Sequence, residues 1–197
     1  MLKSNDKQIF GVKQLTTIGM LSGISIFMGL TGLGFIPLPF MKATIMHIPV
    51  IIGAILEGPL VGATVGLVFG LFSIYQNITA PTLLSPVFMN PIVAIIPRVL
   101  IGITSYYIYR FIKTRFNTPK IAFGFAAVVG TITNTVGVLG LTYLVFAEQY
   151  ATLKDVSSSS VAGILGTIAL TNGVPECIIS IIIIIPVVTR LKKFLKR

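Results

Sequence analysis

Apolar residues run along this chain in long blocks, broken by short polar or basic stretches, rather than alternating with water-facing positions. Six blocks stand out, at roughly 14–35, 44–57, 59–77, 88–112, 119–147 and 161–189. A helix needs about 20 mostly apolar residues to cross the hydrocarbon core of a bilayer. All the blocks but one reach that length or come close to it. The block at 44–57 is short and contains Pro49, which predicts a kinked or partial crossing. Only short links and tails remain between the blocks. The pattern therefore predicts an all-α integral membrane protein, a six-transmembrane-helix bundle forming one domain over residues 1–197, with no soluble catalytic domain.

Composition agrees with the pattern. Of 197 residues, 54% are apolar and only 10% charged, and the mean hydropathy is +0.97. A soluble domain carries about a quarter charged residues, so this chain cannot cover a water-facing surface. The net charge of +10, from 15 Lys+Arg against 5 Asp+Glu, would in a soluble protein suggest nucleic acid. Its placement argues for topology instead. Lys3, Lys7 and Lys13 precede the first block; Arg110, Lys113, Arg115 and Lys120 crowd the link between the fourth and fifth; Arg190, Lys192, Lys193, Lys196 and Arg197 follow the sixth. With six crossings all three clusters fall on one side, which the positive-inside rule makes cytoplasmic, together with both termini. The basic start imitates a signal peptide, but its apolar run is too long for one, and it reads as a retained span. Cys177 is the only cysteine, so no internal disulfide forms.

This topology places 36–43, 78–87 and 148–160 outside. The first of these links is apolar and stiffened by Pro37 and Pro39, which suits a lid folded back over a cavity or a segment resting in the lipid interface. The run Ser157–Ser160 reads as a flexible link or a helix cap. Within the spans, small residues mark close helix contacts. Gly58, Gly62, Gly66 and Gly70 recur every fourth residue and predict packing inside the bundle. Gly19 and Gly23 repeat the spacing on the first span, where a contact with another membrane protein is equally open.

Two charges lie inside apolar spans, Arg98 and Glu176, and each directly follows a proline. Intramembrane charges are costly unless paired or hydrated. A helical proline frees the carbonyl four residues back, here at Val93 and Thr171. Arg98 and Glu176 either form a structural ion pair or line a polar cavity, with Arg98 as a planar fork for a carboxylate. His47, Asn77, Asn90, Asn134 and Asn172 lie within or near span ends and complete a candidate substrate site. The lone histidine suits an interface hydrogen bond rather than a metal, and neither metal nor cofactor is implied. Tyr106 and Tyr107 fit an interfacial aromatic belt. No GxxxxGK[ST] occurs, so ATP cannot be held by a P-loop, and no HExxH or intramembrane Asp pair is present. A substrate-binding membrane protein without its own engine is the expectation, and not an enzyme.

The run His47-Ile48-Pro49-Val50-Ile51-Ile52-Gly53-Ala54-Ile55-Leu56-Glu57-Gly58-Pro59-Leu60-Val61-Gly62, continuing to Phe69-Gly70-Leu71, resembles spans two and three of the S components of energy-coupling-factor transporters. Ser85-Pro86-Val87-Phe88 and Ile96-Pro97-Arg98-Val99-Leu100-Ile101-Gly102 are most similar to the pantothenate-type S component. The similarity covers about residues 15–113, and the second half agrees mainly in topology. It implies a six-helix subunit that captures a vitamin from outside, docks on a transmembrane T subunit with two ATPase subunits, and topples in the bilayer to release its cargo. Gly19 and Gly23 stand where the family carries an alanine-based docking motif, and the first outer link matches its gating loop. Arg98 suits the carboxylate of pantothenate. Another vitamin such as riboflavin or folate, a stand-alone secondary transporter, and a small membrane scaffold remain open alternatives.

Overall fold

The computed structural model describes residues 10–37, 42–82, 84–116 and 118–195. In chain order these form helix α1 (Val12–Leu30), strands β1 (Phe35–Pro37) and β2 (Lys42–Thr44), and helices α2 (Ile48–Glu57), α3 (Pro59–Thr79), α4 (Ser85–Phe88), α5 (Pro91–Arg115), α6 (Pro119–Lys154) and α7 (Ser158–Leu195). Four helices, α3, α5, α6 and α7, are long and apolar enough to cross a membrane. The polar start of α1 at Lys13, Gln14, Thr16 and Thr17 lowers its hydropathy below theirs, and α2 is shorter.

The short block proves to be the centre of the bundle. Every residue of α2 from Ile48 to Ile55 is buried, as expected of a helix that is apolar all round. Pro49 does not kink it, so of the two expectations, a kinked or a partial crossing, the short helix matches the second. The proline lies in the first turn, where its missing N–H is not needed. Ten residues span about 15 Å at 1.5 Å per residue, roughly half of a bilayer core. The antiparallel β1–β2 hairpin leads into it, pairing Phe35 with Thr44 and Pro37 with Lys42. The expected lid at 36–43 thus forms this hairpin at its two ends, while its centre, 38–41, lies outside the described residues. At the other end of α2, Gly58 at φ 104° reverses the chain directly into α3. This residue is therefore a turn, and only the remaining glycines of the stripe pack.

Those glycines set how closely α3 meets α5. A Cβ on Gly62 would stand 2.9 Å from the Cα of Gly102, and one on Gly70 would stand 2.8 Å from the carbonyl oxygen of Ala94. One on Gly66 would run into the carbonyl oxygen of Arg98. Residues 62, 66 and 70 thus face 102, 98 and 94, four apart on each helix and in antiparallel order. Larger side chains here would push α5 outward.

The expected outer link at 148–160 is mostly helical. α6 continues to Lys154, with one break at Phe146 (φ −130°, ψ 20°), and α7 begins at Ser158. Asp155 closes α6 in the left-handed conformation (φ 53°, ψ 49°). The Ser157 hydroxyl lies 2.7 Å from that of Ser160, so the serine run opens a helix rather than forming a loose link. At 36 residues α6 is about 54 Å long. It overshoots a core of about 30 Å, which explains helix beyond the apolar block.

Buried apolar side chains fall into two clusters. The larger joins α1, α2, α3, the second half of α5, the start of α6 and the end of α7, around Ile51, Val65, Ile101, Ala126 and Ile184. The smaller joins Leu84 before α4 to the far halves of the last two helices, around Leu139, Tyr150, Val161 and Leu165.

Candidate functional site

Between the two clusters lies a layer of buried polar side chains. On α7, Asn172, Glu176 and Ser180 are spaced four apart and share one buried face. On α6, Thr131 and Asn134 are buried on a common face, with Thr135 beside them. α5 contributes Arg98, His47 precedes α2, and the hairpin contributes the backbone of Thr44.

Glu176 ties the hairpin to the bundle. One carboxylate oxygen accepts the Thr44 backbone N–H at 2.7 Å, and the other accepts the Thr135 hydroxyl at 2.9 Å. Non-helical backbone is tolerated at membrane depth only where protein or a lined cavity satisfies it, and Glu176 does this for the end of β2. His47 Nε2 lies 3.0 Å from the Thr131 hydroxyl and 3.1 Å from that of Ser180. The Thr131 hydroxyl also reaches the Ala127 carbonyl at 2.8 Å. The ring thereby joins α2, α6 and α7 at the base of the layer.

Arg98 is not paired with Glu176. Its Nη1 donates to the Val93 carbonyl at 2.6 Å, the acceptor that Pro97 frees. The guanidinium lies 5.5 Å from the centre of the Phe69 ring, within cation–π range. Among the described residues the one ion pair is Lys13 with Glu57, at 2.8 Å, at the far end of α1 and α2. Four buried polar atoms of the layer have no partner: Arg98 Nε, Asn134 Oδ1, Asn172 Oδ1 and His47 Nδ1. Unpaired polar atoms in a dry interior are costly, so a donor and two acceptors are left open where Arg98, Asn134 and Asn172 are held by three different helices.

The other two sequence candidates stand apart. Asn77 donates to the Ser73 carbonyl at 2.9 Å and accepts the Ser85 hydroxyl at 2.8 Å, fastening α3 to α4. Asn90 caps α5, its Oδ1 accepting the Ile92 N–H at 2.9 Å. Both amides are committed to structure, each two helical turns from the Phe69–Arg98 level. Sequence reasoning missed Thr44, Phe69, Thr131, Thr135 and Ser180. The four-residue spacing from Asn172 through Glu176 was a signal for Ser180; nothing local marks Thr44. No cluster of three or more His, Cys, Asp or Glu suited to a metal occurs among the described residues.

A concavity of about 650 Å³ lies elsewhere. It is an open groove between α1, α2 and α7, lined by apolar side chains such as Met20, Ile24, Ile52 and Val187, with Lys13 and Glu57 at one end. None of the polar layer lines it. Gly19 and Gly23 are on α1 with nothing within 4 Å of a Cβ built on either, so they face outward rather than packing in the bundle.

Long apolar helices enclosing one buried polar layer define the class, a multi-pass integral protein of the cell membrane. The chain belongs to the family described as "ECF transporter, substrate-specific component", which it matches over residues 13–188. It is thus the substrate-specific component of such a transporter, and not itself an enzyme. It is 38% identical over 173 residues to the pantothenic acid transporter PanT of Lactococcus lactis subsp. cremoris (strain MG1363), covering 80% of this chain and 81% of that one. It is 31% identical over 159 residues to the pantothenate transporter PanT of Leuconostoc mesenteroides subsp. mesenteroides, covering 77% and 78%. Its fold matches a solved S component of a bacterial ECF transporter with a TM-score of 0.62, over 94% of this chain and 98% of that one, at 24% identity.

Proposed function

We propose that this chain is the pantothenate-binding subunit of its transporter, with six crossings in a single domain, both termini cytoplasmic and the β1–β2 hairpin outside. The relatives' names support the vitamin. The basic ends support the orientation, since Lys13, Lys113, Lys120 and Lys192 lie toward one end of their helices. Arg98 carries the reading. It is a buried guanidinium with an unpartnered Nε and no carboxylate partner among the described residues, and pantothenate brings one carboxylate. Asn134 and Asn172 offer acceptors to its two hydroxyls and amide. Glu176 holds the hairpin over the bound vitamin, and His47 sets the floor. Asn77, tying α3 to α4, and Asn90, capping α5, act at one remove from the vitamin by fixing where these helices stand.

Uptake then requires a T subunit and two ATPase subunits, because the sequence holds no P-loop of its own. The open face of Gly19 and Gly23 is the proposed docking surface. Calorimetry on the purified protein with pantothenate, riboflavin, folate, thiamine and biotin tests the assignment. Pantothenate should bind, and Arg98→Ala should weaken it about 100-fold, the loss of a charge-assisted bond of about 3 kcal/mol. Unchanged affinity in a folded Arg98→Ala variant would return Arg98 to a purely structural role.

A further inference from the structure

At the basic end of the bundle, α6 and α7 leave a second groove facing outward, of about 400 Å³, lined by Ile121, Gly124, Phe125, Val128, Ile181 and Ile185, with Lys120 at its mouth. Gly124 keeps it open: a Cβ there would already meet Ile185 at 3.7 Å. One turn from Lys120 on α6 is Phe123, stacked on Tyr109 of α5 with ring centres 5.8 Å apart. Two ammonium groups sit on that pair. Lys192 lies 4.3 Å from the centre of the Tyr109 ring and 5.3 Å from that of Phe123, and Lys113 lies 5.8 Å from Tyr109. Lys192 also donates to the Tyr109 hydroxyl at 2.5 Å. Lys113 and Lys192 therefore share one ring, on the α5 side of α6, while Lys120 stands at the groove. No acid falls within residues 105–125 or 181–197 to balance them.

We propose that this groove seats one anionic phospholipid, with an acyl chain along Gly124, Val128 and Ile181 and its phosphate among Lys113, Lys120 and Lys192. Lipid tails are as apolar as the groove, so burial alone does not select a lipid there. The groove supplies shape, and the unbalanced lysines supply the choice of an anionic headgroup over a zwitterionic one. Basic recesses between transmembrane helices recognise lipid headgroups on this principle. The site lies at the opposite end of the helices from the hairpin and does not depend on which vitamin is bound.

Native mass spectrometry of the full chain, extracted from vesicles of phosphatidylcholine with and without phosphatidylglycerol, tests this. One phosphatidylglycerol should stay bound through delipidation, and phosphatidylcholine should not. Lys120→Ala, at an exposed position, should reduce that retention about fivefold, the worth of one cation near a charged membrane surface. Gly124→Leu keeps every charge but fills the groove, and should reduce retention as well. Molar salt should do the same to the unaltered protein, so the result does not depend on any variant folding. Equal retention of both lipids would overturn the proposal. So would retention that Lys120→Ala and salt leave unchanged, and loss with Lys120→Ala but not with Gly124→Leu would mean a headgroup contact without a seated chain.

Discussion

The two apolar clusters on either side of the polar layer are built differently. In the larger, helices meet backbone to backbone: Gly62 against Gly102 and Gly66 against the Arg98 carbonyl leave no room for a methyl group. Gly130 is equally filled, against Ser105 and Ile51. The smaller cluster rests on the far ends of two long helices and the short α4. Its helices carry a backbone break at Phe146, and Gly140, Gly163 and Gly166 have nothing within 4 Å of a built Cβ. Close backbone packing leaves a helix pair one arrangement, whereas side-chain contacts across a broken helix can be remade at lower cost. The α3–α5 contact is therefore the more tightly constrained of the two regions. On the proposed reading, the end with the hairpin is the half that admits the ligand.

The strongest way to break this comparison is to put the same side chain on glycines of opposite kind. Gly66→Leu should cost about 3 kcal/mol or more by overpacking α3 on α5, seen as loss of monodisperse protein or a large drop in melting temperature. Gly19→Leu, on the open face of α1, should leave folding and vitamin affinity intact while stopping uptake in liposomes that contain the T and ATPase subunits. Normal uptake with Gly19→Leu would move the docking surface elsewhere.

A smaller effect is expected in the other cluster. Leu165→Ala removes a buried side chain and should cost about 2 kcal/mol of local packing. Because that cluster is separate, the loss should appear as faster hydrogen exchange around 139–165 and faster ligand release. A matching fall in protection across α2 and α3 would show that the two clusters unfold as one.

The smallest change separates two asparagines that look alike in sequence. Asn134→Ala should weaken vitamin binding about tenfold, the worth of about one hydrogen bond in a dry site. Asn77→Ala should lower thermal stability by about 1 kcal/mol through the lost α3–α4 tie and leave affinity unchanged. Equal effects on binding would place both amides at the ligand.

Much of the helical architecture was legible in the chain, because a bilayer demands apolar length and local sequence displays it. The links were less so. Residues 148–154 are too polar for a span but continue a helix begun inside one, and Pro49 reads as a breaker unless the helix start is known. The chemistry of the site was legible only in part. The Pro97–Arg98 pair announced a freed carbonyl with a donor beside it, and Arg98 indeed takes the Val93 carbonyl.

By itself the sequence determined the membrane class, the blocks that become helices, the glycine stripe and the identity of the two buried charges. Each of these follows from local length, spacing or composition. Only the tertiary structure decided that the shortest block lies at the centre, that Arg98 and Glu176 are not paired, and that Asn134 and Asn172 are left open while Asn77 and Asn90 are spent on a tether and a cap. Periodicity shows which residues share a face of one helix. Which face turns toward which neighbour depends on contacts such as Thr44 with Glu176, 132 residues apart, and no local pattern encodes those.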